Sequence, residues 1–182
     1  MENAAVSEDS LIQNEVVRLR EISPGCFVAV IDNPPFNLID SQVFAGLKAV
    51  KSFAEDSAND VRVLIFESAN PEFFGAHLDL TAAGHGGSEP AGSEPVEILQ
   101  EWPAFSYWLG TTPVVSIAVL RGRARGFAFA FAAAADMRFA SKENTRLCLP
   151  EVGFGAFPGG GGIEWAQLHA GRAPRSPRSR AT

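Results

Sequence analysis

The sequence is poor in cysteine. Its 182 residues hold two, Cys26 and Cys148, far apart and without metal-ligand spacing. Both stand in apolar runs, GCFVAVI and LCLP, and read as small core residues of a reducing compartment. Histidine is scarce as well. Of the three, His85 and His169 have no visible carboxylate or cysteine neighbours, so no metal site is expected. No apolar run approaches the ~20 residues of a membrane-spanning helix. The opening MENAAVSEDS has neither the basic start nor the apolar stretch of a secretory signal. These absences predict a cytoplasmic protein with no membrane partner. Basic charge is also thin. Arg172, Arg175, Arg178 and Arg180 crowd the end, leaving 11 basic residues against 21 acidic ones over the rest. An acidic body argues against a nucleic-acid surface as the main business, with only the Arg-rich end in its favour, and any polyanionic ligand needs a local basic patch.

What is present suits one domain. Hydrophobic residues make up 46% of the chain, with 14 Phe, enough for a sizeable core. VVRLR (16–20) and CFVAVI (26–31) are β-rich and flank Ser-Pro-Gly, a hairpin signature. DNPPFNLID breaks the strand, and Asp40 or Ser41 can cap a helix whose apolar residues Val43, Phe44, Leu47, Val50 and Phe53 follow helical spacing. VRVLIFES (61–68) and TPVVSIAVL (112–120) read as strands buried on both faces, as in a parallel sheet. Between them lie a low-complexity stretch with GSEP twice (87–90 and 92–95), read as a mobile loop, and a helical pattern from Val96 to Leu109 that Pro103 can kink. RGRAR (121–125) reads as a loop, Gly126 as the start of a helix, MRFA and RLCL as short strands, and IEWAQLHA as a last short helix. Strands alternating with helices after an antiparallel start predict an α/β layered fold. The expected divisions are a disordered start (1–15), a core domain (16–171) and a disordered Arg/Pro-rich tail (172–182). The tail has the look of a frameshift or cloning artefact.

Three stretches join glycine, a turn and a polar group: FFGAHLDL (73–80), RGRARGF (121–127) and LPEVGFGAFPGGGG (149–162). The first two follow buried strands, so they emerge on the sheet edge where ligands bind. A helix opening at Gly126 aims free N–H groups at that edge, suited to a developing oxyanion such as a thioester enolate. Glu151, a carboxylate among apolar residues, is the candidate proton shuttle. His77 reads as a loop-ordering group. Ser116 lacks the strand–turn–helix setting of a nucleophile. The four glycines at 159–162 lack the lysine of a phosphate loop and read as a turn before a helix.

These stretches, with VAVIDNPPFNLID and TPVVSIAVLRGRARGFAFAFAAAADMRFAS, stand in the order found in the crotonase superfamily, and the chain from Val16 to Arg172 resembles that enoyl-CoA hydratase/isomerase family. The resemblance implies a spiral of ββα units and an acyl-CoA thioester as partner. It implies an oxyanion hole made by the N–H groups of Leu78 and Phe127, and Glu151 in the place of a catalytic glutamate. Ala76 and Leu78 would lie along the CoA, beside Gly126. CoA belongs to the substrate, so no separate cofactor is implied, and homotrimers or hexamers are. Arg123, with Arg121 and Arg125 as neighbours, is the charge-based choice for the CoA phosphates. The chain departs from the family pattern in three ways. Phe127 and Ala128 stand where the family has glycines, Ala130 stands where full hydratases carry a second glutamate, and the family's C-terminal helical region has no counterpart. One carboxylate still suffices to move a double bond, so isomerase-type chemistry is expected over hydration, with a catalytically impaired CoA-binding relative as the alternative.

Overall fold

The computed structural model describes residues 10–80 and 94–170. The Ser-Pro-Gly segment turns the chain between β1 (Val17–Ser23) and β2 (Cys26–Ile31), which pair antiparallel. Asp40 then caps α1 (Ser41–Glu55), its Oδ1 accepting the Val43 N–H at 2.9 Å. That bond satisfies one of the orphan donors of the first turn. Val43, Phe44, Leu47 and Val50 bury one face of the helix, as their spacing dictates.

The rest of the chain repeats one pattern. β3 (Val63–Ser68) is followed by the short β4 (Phe73–Gly75) and α2 (Glu94–Thr111). Next come β5 (Val115–Leu120), the short β6 (Arg123–Arg125) and α3 (Phe127–Ala134). The third round is β7 (Met137–Ala140), the short β8 (Arg146–Cys148) and α4 (Gly162–Ala170). The first strand of each round joins a five-stranded sheet, in the order β1-β2-β3-β5-β7, parallel beyond β2. The second joins a three-stranded parallel sheet, β4-β6-β8. This is the expected spiral of ββα units. The core between the layers is aromatic, with Phe66, Phe74, Trp102, Phe105 and Phe131 buried together.

Several of the expectations change. Residues 10–15 are not loose: Ile12 is buried and the Leu11 N–H donates to Leu19 O at 2.8 Å, because an apolar side chain there can reach the core beside β1. Arg123–Arg125 is a strand and not a loop, since pairing with β4 and β8 orders a segment too short to show a period of its own. Glu94 and Pro95, from the second GSEP, already belong to α2, where a proline in the first turn is tolerated. The same helix runs on through Pro103. The remainder of the GSEP repeats, His85 and the tail from Arg172 lie outside the described residues. No helix among the described residues is long and apolar enough to cross a membrane.

Candidate active site

Because β4, β6 and β8 run parallel, their C-terminal ends deliver residues 76–78, 126 and 149–151 to one edge. The Gly126 N–H donates to Cys148 O at 2.8 Å and joins two of these ends. Gly126 itself caps α3 with φ +52° and ψ −119°, a conformation that a side chain disfavours. A Cβ at this position would stand 2.7 Å from Glu151 Oε1 and 3.8 Å from His77 Cβ. The missing side chain is what lets the Glu151 carboxylate lie against the opening of the helix.

Glu151 follows Pro150 and starts a short 3-10 turn, Glu151–Phe154. Its Oε2 is fully covered and has no hydrogen-bond partner among the described residues. A buried, unpaired carboxylate oxygen costs about 1–3 kcal/mol, so native folds seldom keep one without a use. No group of His, Cys, Asp and Glu suited to a metal ion occurs among the described residues.

The loop after β4 is fixed from below. Ile39 forms a parallel bridge with Leu78: the Ile39 N–H donates to His77 O at 2.8 Å, and the Asp79 N–H to Ile39 O at 2.9 Å. In such a bridge the N–H and C=O of the central residue point away from the partner strand. Leu78 therefore turns its own N–H away from Ile39, while its carbonyl accepts from His77 Nδ1 at 2.7 Å. His77 thus orders the loop through a main-chain contact. Ala76 is held by its N–H, which donates to Phe36 O and Asn37 O. Asn37 is the residue that sequence reasoning passed over. It is buried at φ +51°, and its Nδ2 donates to Ile31 O and to Ser68 Oγ. The signal was available in PPFNLID, since Asn is among the few residues that tolerate that backbone region.

At the second loop, the Phe127 N–H lies in the first turn of α3, where no intrahelical acceptor exists. Its ring turns inward, with its centroid 4.4 Å from that of Trp102. Ala130 is fully buried one turn on.

Leu78, Phe127, Gly126, Ala76 and Glu151 thus belong to loops and a helix start at one edge. Arg123 does not join them. It begins β6, at the end opposite Gly126, pairs with Glu72 at 3.2 Å and lies over the Phe73 ring. There it lines an open groove of about 460 Å³ with Pro71, Glu72, Gly122, Glu143, Asn144 and Arg146. Strand direction, which sequence spacing cannot supply for three residues, decides this. Arg121 is occupied by Glu67 at 2.8 Å. Ser116 is buried and donates to Asp136 Oδ2 at 2.7 Å, clasping β5 to the start of β7.

Comparison with known proteins supplies the family. Residues 21–174 match the family model for enoyl-CoA hydratase/isomerase. Carnitinyl-CoA dehydratase of Escherichia coli is 32% identical over 134 residues, 73% of this chain and 48% of that protein. A candidate enoyl-CoA hydratase of Streptomyces avermitilis is 37% identical, with a TM-score of 0.71 over 90% of this chain and 58% of that one. DspI of Pseudomonas aeruginosa, 24% identical, shares the fold with a TM-score of 0.74 over 93% of this chain and 65% of that one. The chain spans about half the length of the curated relatives it matches. By its family model, its relatives and its ββα spiral, the chain belongs to the enoyl-CoA hydratase/isomerase family.

Proposed function

We propose that the chain binds an acyl-CoA thioester and moves a double bond by enolate chemistry, with Glu151 as its single acid/base. The observation that carries this reading is the covered, unpartnered Oε2 of Glu151 beside the opening of α3. In a 3-enoyl thioester, the Glu151 carboxylate takes a proton from the α carbon. The electron pair moves onto the thioester oxygen, which accepts from the Leu78 and Phe127 N–H groups. The protonated Glu151 then returns the proton to the γ carbon, and the double bond ends between the α and β carbons. Atoms balance without a further cofactor. Hydration asks for a second carboxylate to place a water, and Ala130 stands where that group is expected, so isomerisation is favoured. Assembly into trimers or hexamers rests on the family resemblance alone.

The Glu151→Gln variant tests the reading. Isomerisation of a 3-enoyl-CoA should fall by about 10²–10⁴, the usual worth of a positioned acid/base, while acyl-CoA binding changes little. A second reading, a relative that binds acyl-CoA without turnover, is favoured by the burial of Ala130 and Phe127. Wild-type binding without any turnover would decide for it.

A further inference from the structure

Phe127 departs from the family's glycine at the very residue assigned to hold the thioester oxygen. Its backbone offers an N–H in the first turn of α3, and its Cα–Cβ bond tilts toward the same helix end. On the reading of Phe127 as a donor to the carbonyl, the ring starts out beside the place of the thioester oxygen. From there it enters a slot between α2 and the glycine turn before α4. The Trp102 ring lies at 4.4 Å between centroids on one side. On the other, a Cβ at Gly160 would stand only 2.9 Å from Phe127 Cε2 and 3.1 Å from Cδ2. The Trp102 Nε1–H donates to Gly160 O at 2.8 Å, so the two walls of the slot are tied together. Phe131, from the same helix as Phe127, packs edge-on against Trp102, 5.8 Å between centroids. Only 5% of Phe127 is exposed. The space between the Trp102 ring and the Gly160 turn is thus filled by the protein's own Phe127 side chain.

We propose that Phe127 is a specificity-determining residue that occupies the room of an acyl tail and limits the chain to short acyl groups. The proposal rests on the reading of Leu78 and Phe127 as the carbonyl-holding pair. Truncating the ring leaves an apolar cavity, which stays dry and accepts apolar atoms. Two further buried methylenes are worth about tenfold in affinity.

The test is calorimetric binding of saturated acyl-CoAs, which cannot isomerise, so that binding is read independently of turnover. Wild-type protein should bind butanoyl-CoA and discriminate against decanoyl-CoA. Phe127→Ala should improve decanoyl-CoA binding at least about tenfold relative to butanoyl-CoA, and Phe127→Leu, which keeps more of the packing, should give a smaller gain. Wild-type protein that binds both equally overturns the proposal even if neither variant folds. So does a folded Phe127→Ala that leaves the ratio unchanged. Absence of acyl-CoA binding in every form overturns this proposal together with the proposed function. Chain-length discrimination in a protein whose turnover ignores Glu151→Gln upholds this proposal and removes only the acid/base assignment.

Discussion

At the residue scale the site is a contest between a carboxylate and a glycine. Glu151 keeps one oxygen covered and without a partner among the described residues, and Gly126 gives it room by lacking a Cβ. Gly126→Ala forces a side chain onto φ +52° and into Glu151 Oε1. The variant should lose about 1–3 kcal/mol in urea unfolding and should also displace Glu151, so activity should fall more than stability. The reverse trade holds at Glu151. Replacing it with Met removes the orphaned oxygen and keeps the bulk, so the midpoint of thermal unfolding should rise, by an amount equivalent to about 1 kcal/mol. A fall in stability would mean that the carboxylate has a partner that strengthens the fold.

At the element scale α3 shows what was legible and what was not. RGRARGFAFAFAAAAD mixes strand-like alternation of Phe with helix-like alanine, and the glycine marks the change between them. The helix does open after Gly126, and Phe127 and Phe131 face inward together while Phe129 is only half-buried. The approach of Glu151 to the helix start follows what the family resemblance implied, whereas the lone carboxylate in an apolar loop marked the residue only as a candidate. The strands β4 and β6 were not, because three residues cannot display a period of two, and their pairing is decided by distant partners. For the same reason the place of Arg123 was hidden: its end of the small sheet follows from strand direction. The packing around Ala130 was equally hidden. Its Cβ lies 3.6 Å from where a Cβ on Gly162 would stand, so the start of α4 sits on it. Ala130→Glu should therefore not restore hydration. It buries a charge, and should cost about 3 kcal/mol in chemical denaturation. A stable Ala130→Glu protein that hydrates a 2-enoyl-CoA would show that α4 yields at little cost.

At the scale of the whole molecule, polarity is uneven. Phe139, Leu147, Val152, Phe154, Phe157 and Leu168, all from the last third of the described chain, are substantially exposed. Exposed large apolar side chains in this number favour association. Light scattering should show a mass that rises with concentration, whereas a constant monomer mass would mean that they are harmless in water. Six strands and four helices were readable from apolar runs, spacing and turn signals, the three-residue β8 among them because its apolar residues stand between turn signals; their arrangement in two sheets came from pairing that no local signal carries. The chemistry converges on one measurement. In deuterated buffer, the α hydrogens of a saturated acyl-CoA should exchange in the presence of the wild-type chain, because forming the enolate needs only the N–H pair and Glu151. Exchange that collapses in Glu151→Gln, with acyl-CoA still bound, is the expected result. Equal exchange in both proteins would contradict the assignment of Glu151 as the group that moves the proton.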